Sequence, residues 1–104
     1  MLVTSKKYDV SDIVSFRLVN GDEIIAKIVS EDDDNFKLER PCTVLPSQQG
    51  IGLMQSMFTA DSELKVVVSK QHVIMHSPTI DAMQKHYLKT TTGIEPITRG
   101  GIIT

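Results

Sequence analysis

The chain has no tryptophan, only three phenylalanines and two tyrosines, and a single cysteine in 104 residues. Cys42 alone excludes an internal disulfide and fits a reducing compartment. There is no basic excess: 11 Lys and Arg stand against 13 Asp and Glu, a formal charge of −2. That balance excludes a general nucleic-acid binder and leaves only a local basic patch for such a role. The N-terminus MLVTSKKYDV lacks the unbroken apolar run of a secretory signal. No segment approaches the roughly 18 apolar residues of a membrane span, so a soluble, cytoplasmic protein is expected. At this length a chain buries only about two-thirds of its unfolded surface, so burial against further copies would help it. Hydrophobic residues, at 40%, are sufficient for one core and one domain.

The apolar residues that are present alternate. Val14, Phe16 and Leu18 share one face of a strand, with Ser15 and Arg17 on the other. Asn20-Gly21 then marks a tight turn, because both residue types tolerate positive φ. Ile24, Ala26 and Ile28 follow at period two, opposite Ile25, Lys27 and Val29. A turn over Glu31, Asp32, Asp33, Asp34 and Asn35 leads into Phe36 and Leu38, completing a three-stranded meander. Ile25 and Val29 are apolar on the face that should meet water, so the later helix or another subunit is expected to cover it. Pro41 and Pro46 bracket an edge-like extension. Residues 50–58 read as a strand weakened by Gly50 and Gly52, residues 63–69 as a strong strand, and residues 72–76 as a short final one. The period then becomes helical, with Ser77 or Thr79 as N-cap, Pro78 in the first turn and an apolar stripe of Ile80, Met83, Tyr87 and Leu88. The divisions expected are an N-terminal arm (1–12), a β-barrel (13–76), a C-terminal helix (77–90) and a flexible tail (91–104).

The meander resembles the first motif of the Sm-like (LSm and Hfq) superfamily: Val14, Phe16, Leu18, Gly21, Ala26 in place of the usual Gly, then Ile28, Asp32, Asn35 and Leu38. "VVVSKQHVIM" stands where the second motif belongs. The resemblance covers residues 13–76, and the helix after the barrel is similar to that of small Sm-like proteins predicted in marine cyanophages. It implies a mainly β fold, a small, strongly bent five-stranded Sm-like barrel with a C-terminal helix. It also implies a homo-oligomeric ring of about five to seven subunits, closed by edge-to-edge pairing of the last strand with residues 63–69 of a neighbour. Single-stranded RNA is the implied partner, with Asp32 ordering the loop and Asn35, Lys70 and Gln71 as contacts. The implied location is the cytoplasm, the host's if the chain is phage-encoded. The rival expectation is a ring-forming assembly or adaptor protein without nucleic-acid binding.

The departures from the motif bear on function. The twelve residues before Ile13 leave little space for the family's N-terminal helix. The spacing from Asp32 to Asn35 is one residue short. Asp33 and Asp34 stand where the family places an aromatic or Met that stacks on a base, and Ser69, Lys70 and Gln71 replace Arg-Gly-Asn or Lys-His. An acidic loop repeated around a ring repels phosphate, so weak, salt-sensitive binding is expected. The loop also reads as a solvated hairpin turn, in which Asp and Asn bond their own backbone. Other chemistry finds little footing. The acidic run lacks EF-hand spacing, with Phe36 where a ligand is required. His72 and His76 share a strand face but have no third metal ligand, and nothing local activates Cys42. No enzyme, metal or cofactor is expected.

Overall fold

A computed structural model describes residues 7–60 and 65–92 of the chain. It is mainly β, with six strands in one antiparallel sheet and one C-terminal helix. The strands are β1 (Ile13–Leu18), β2 (Glu23–Glu31), β3 (Asn35–Ser47), β4 (Gly50–Gln55), β5 (Lys65–Ser69) and β6 (Val73–Pro78). The helix, α1, is Asp81–Thr92. The 91–104 division falls largely outside the described residues, as do positions 1–6 of the arm and 63–64 of the expected strong strand.

The meander forms as the alternation demands. Gly21 carries the turn between β1 and β2 at φ 96°, and Asn20 Oδ1 accepts the Asp22 N–H at 3.0 Å. β1 pairs β2 from Ile13 with Lys27 to Arg17 with Glu23, and β2 pairs β3 out to Ile24 with Thr43. β3 is the longest strand and carries β4 and β5 along one edge. β5 lies against its first half, from Asn35 with Ser69 to Glu39 with Lys65, and β4 against its second half, from Cys42 with Gln55 to Ser47 with Gly50. The residues expected to form a separate edge extension around Pro41 and Pro46 are thus inside β3. Pro46 is tolerated because β2 has already stopped pairing at Thr43, so no ladder on that side needs its missing N–H.

The sheet bends far enough for a 3-10 turn, Lys70–His72, to carry the chain from β5 to β6, which pairs with β1. β1 therefore lies between β2 and β6 in the order β4-β3-β2-β1-β6. The result is an open, six-stranded sheet where a five-stranded barrel was expected. The strand expected over residues 50–58 forms as β4, Gly50–Gln55, despite its two glycines.

The concave face buries Val14, Phe16, Ile24, Ala26, Ile28, Phe36 and Leu38. The convex face carries a second cluster of Ile13, Ile25, Cys42 and Tyr87. Ile25 is therefore covered by α1, through Tyr87, with Met83 packed alongside. The rest of the expected stripe is not buried: Ile80 is 70% exposed and Leu88 37%. β6 runs to Pro78 and α1 starts only at Asp81, which leaves Ile80 ahead of the helix. Thr79 is buried and bonds Ser15 through the two hydroxyls at 2.8 Å, while the Gln84 N–H bonds the Ile80 carbonyl, so neither Ser77 nor Thr79 caps α1. Val29 also departs from the pattern, because the β2–β3 register shifts between Ile28 and Ser30 and takes it out of line with Ile25.

Candidate functional site

The acidic turn folds around one carboxylate. Asp32 Oδ1 accepts the N–H groups of Asp34 at 2.8 Å and Asn35 at 2.7 Å, and its own N–H donates to the Asn35 carbonyl at 3.0 Å. Those two backbone donors hold the Asp32 carboxyl below its ordinary value. The turn thus uses its first aspartate as an internal acceptor and leaves Asp33 and Asp34 exposed.

Asn35 opens β3 opposite Ser69, the last residue of β5. The next N–H, that of Lys70, donates to the Asp34 carbonyl at 2.8 Å, and Ser69 Oγ accepts from the Gln71 N–H at 3.2 Å. A hydrogen bond from the Val19 N–H to the His72 carbonyl, 2.9 Å, ties this turn to the end of β1. All four residues singled out in the sequence, Asp32, Asn35, Lys70 and Gln71, therefore meet at one end of the sheet.

The lysine is already engaged. Lys70 Nζ lies 2.8 Å from Glu31 Oε2, with side chains 29% and 9% exposed, and 5.0 Å above the Phe36 ring. Glu31 also accepts the Tyr8 N–H at 3.1 Å. Burial works against the charge on Glu31, yet the Lys70 hydrogen bond, the Tyr8 N–H and the nearby positive charge together hold its carboxyl below the ordinary range. Lys7 and Asp33 form a looser pair at 3.6 Å, both exposed, which contributes little.

Tyr8 was not singled out in the sequence, and His76 was considered there only as a metal ligand. Tyr8 hydroxyl and His76 Nδ1 share a 2.7 Å hydrogen bond, and the His76 ring stands edge-on to Tyr8 and Phe36, each 5.5 Å away. Phe16 meets Phe36 at 4.9 Å. With Glu31, Lys70, Val73 and Ile74, residues Tyr8, Phe36 and His76 line a cavity of about 430 Å³. The scarcity of aromatics was the available signal: a chain with two tyrosines seldom leaves one idle, since a half-buried Tyr needs a partner for its hydroxyl. Segment 7–12 is strapped onto β2 here, with Ser11 N–H to the Ile28 carbonyl and Ile28 N–H to the Asp12 carbonyl, both 2.8 Å.

The arrangement offers hydrogen-bonding groups, one charge-neutralised lysine and an aromatic wall. Among the described residues, no group of three or more His, Cys, Asp or Glu gathers to hold a metal ion. No helix among them is long and apolar enough to cross a membrane. Comparison with known protein families gives no match, and comparison with curated proteins gives none either.

Proposed function

We propose that the chain is an Sm-like small barrel that assembles edge to edge into a homo-oligomeric ring and binds single-stranded RNA weakly through the loop face built by Asn35, Lys70 and Gln71. The observation that carries this reading is the meeting of the acidic turn with the turn between β5 and β6, through the Lys70 N–H and the Asn35–Ser69 pairing. Neither turn alone is distinctive; their juxtaposition at one end of a bent sheet is what the Sm-like motif requires.

Strand count agrees with the reading once β4 and β5 are taken as two pieces of one strand, since both lie along the same edge of β3. Among the described residues β5 and β6 each have one strand neighbour, and they carry exposed Val67, Ile74 and Met75. Pairing β6 of one copy with β5 of the next would cover those side chains and satisfy both edges.

A second reading, a ring-forming assembly module without RNA, is favoured by the Lys70–Glu31 pair and by exposed Asp33 and Asp34. Titration of the purified oligomer with short U-rich and A-rich RNA, at low and moderate salt, separates the two. With about three to five phosphates neutralised per ring, affinity falls roughly twenty- to a hundredfold between 50 and 200 mM salt. Lys70→Gln removes the binding, and Asn35→Ala changes base preference more than affinity. Absence of binding at 50 mM salt leaves the assembly module as the function.

A further inference from the structure

From Pro41 to Ala60 the sequence carries no Asp, Glu, Lys, Arg or His, in a chain that is 23% charged. This stretch builds the second half of β3 and all of β4. Beyond Thr43 the strand loses β2, so residues 44–47 pair only with residues 50–53 of β4. A two-stranded ribbon alone in water is marginal at best. Val44 and Leu53 brace its base against the Tyr87 cluster. Farther out, Leu45, Ile51 and Met54 are 42%, 49% and 39% exposed, and Met57 and Phe58 just beyond β4 are 47% and 72% exposed.

The outer edge of β4 has no strand beside it among the described residues. Sheet edges are ordinarily guarded by lysine, inward charge, proline or a bulge. β5 has Lys65 and β6 ends in Pro78, whereas β4 reads Gly-Ile-Gly-Leu-Met-Gln with no guard of these kinds and an unbroken register to β3.

We propose that the free edge of β4, Gly50–Gln55, pairs antiparallel with the same edge of a second copy, joining two β3–β4 ribbons into a four-stranded one. The neutrality of the segment selects the occupant. A charged partner surface would lose its water here and gain no countercharge. Two-fold antiparallel pairing sets the six residues of one edge against the same six in reverse order, and charges facing charges of the same sign are what normally disfavour it; this edge has none. A second copy brings a strand of equal length and equal neutrality. The contact is separate from the β5 and β6 edges and does not depend on RNA binding.

Light scattering and sedimentation of the full chain test it with Met54→Lys and Met54→Glu. Met54 is partly exposed, so both variants are expected to keep the wild-type circular dichroism. Each should carry half the wild-type mass at the same concentration, because a charge on this edge meets no countercharge in the apposed neutral strand. Variants with unchanged mass overturn the proposal. The ring reading fails separately: if β5 and β6 do not pair, the variants are monomers and the wild type a dimer.

Discussion

Tyr87 shows how much one residue carries in a chain with few aromatics. It is fully buried on the convex face, and its hydroxyl lies 3.0 Å from both the Glu39 and the Arg40 carbonyl. Burial, reinforced by the nearby Cys42 thiol, raises its pKa far above the ordinary tyrosine value. The folded chain therefore keeps a proton that the unfolded chain loses above about pH 10, and this share of stability is complete below that pH and declines as pH rises. Tyr87→Phe should cost about 1 kcal/mol in urea unfolding at neutral pH and flatten the alkaline decline. Glu31 acts with the opposite sign. Its carboxyl is held low, so its contribution is complete above about pH 4.3 and is lost as pH falls below it. Glu31→Gln should flatten the acid arm of the stability profile and, by releasing Lys70, tighten the RNA binding proposed above. Unchanged RNA affinity in that variant would mean that Lys70 does not touch phosphate.

Among the elements, α1 has one task visible in its contacts, which is to seat Tyr87 and Met83 over Ile13, Ile25 and Cys42. Truncation after Ile80 should lower the melting temperature and promote aggregation, with truncation after Thr92 as the control that isolates the helix. Tyr87→Ala should reproduce most of the loss, about 3–5 kcal/mol, because no other α1 residue is fully buried. The need for such a cover was legible in the sequence from apolar Ile25 and Val29 on the face that should meet water, and the β1–β2 turn was legible from Asn20-Gly21. The bulges were not. Arg40 adopts φ 53° where the β2–β3 register shifts between Ile25 and Lys27, and nothing in its residue type marks that conformation. A period-two reading does not anticipate such points, and Val29, half-buried at the shift between Ile28 and Ser30, lies at one of them. The strap at Tyr8 escaped for a different reason: its contacts span most of the chain, to Glu31 and His76, and local patterning holds no trace of them.

At the scale of the whole molecule, the two apolar clusters share their strands. β1, β2 and β3 each contribute to both, so neither cluster can come apart while the other keeps its backbone. Unfolding should be a single transition. Tyr8 reports on the concave face and Tyr87 on the convex one, so the fluorescence midpoints of Tyr8→Phe and Tyr87→Phe, each corrected for its own stability, should agree with circular dichroism. Separate midpoints would mean that the clusters melt independently. The placement of β1 between β2 and β6 also has a consequence in time. During synthesis the β1–β2–β3 meander is complete once Ser47 has emerged, yet Val14 must wait for Pro78, its partner in β6, and Ile25 must wait for Tyr87. Throughout that interval the nascent chain displays an inner strand open along one edge and an uncovered apolar face. The long-range closure that ends the exposure is the slow search in its folding, and the danger of misassociation on the ribosome is concentrated in the residues between Ser47 and Tyr87.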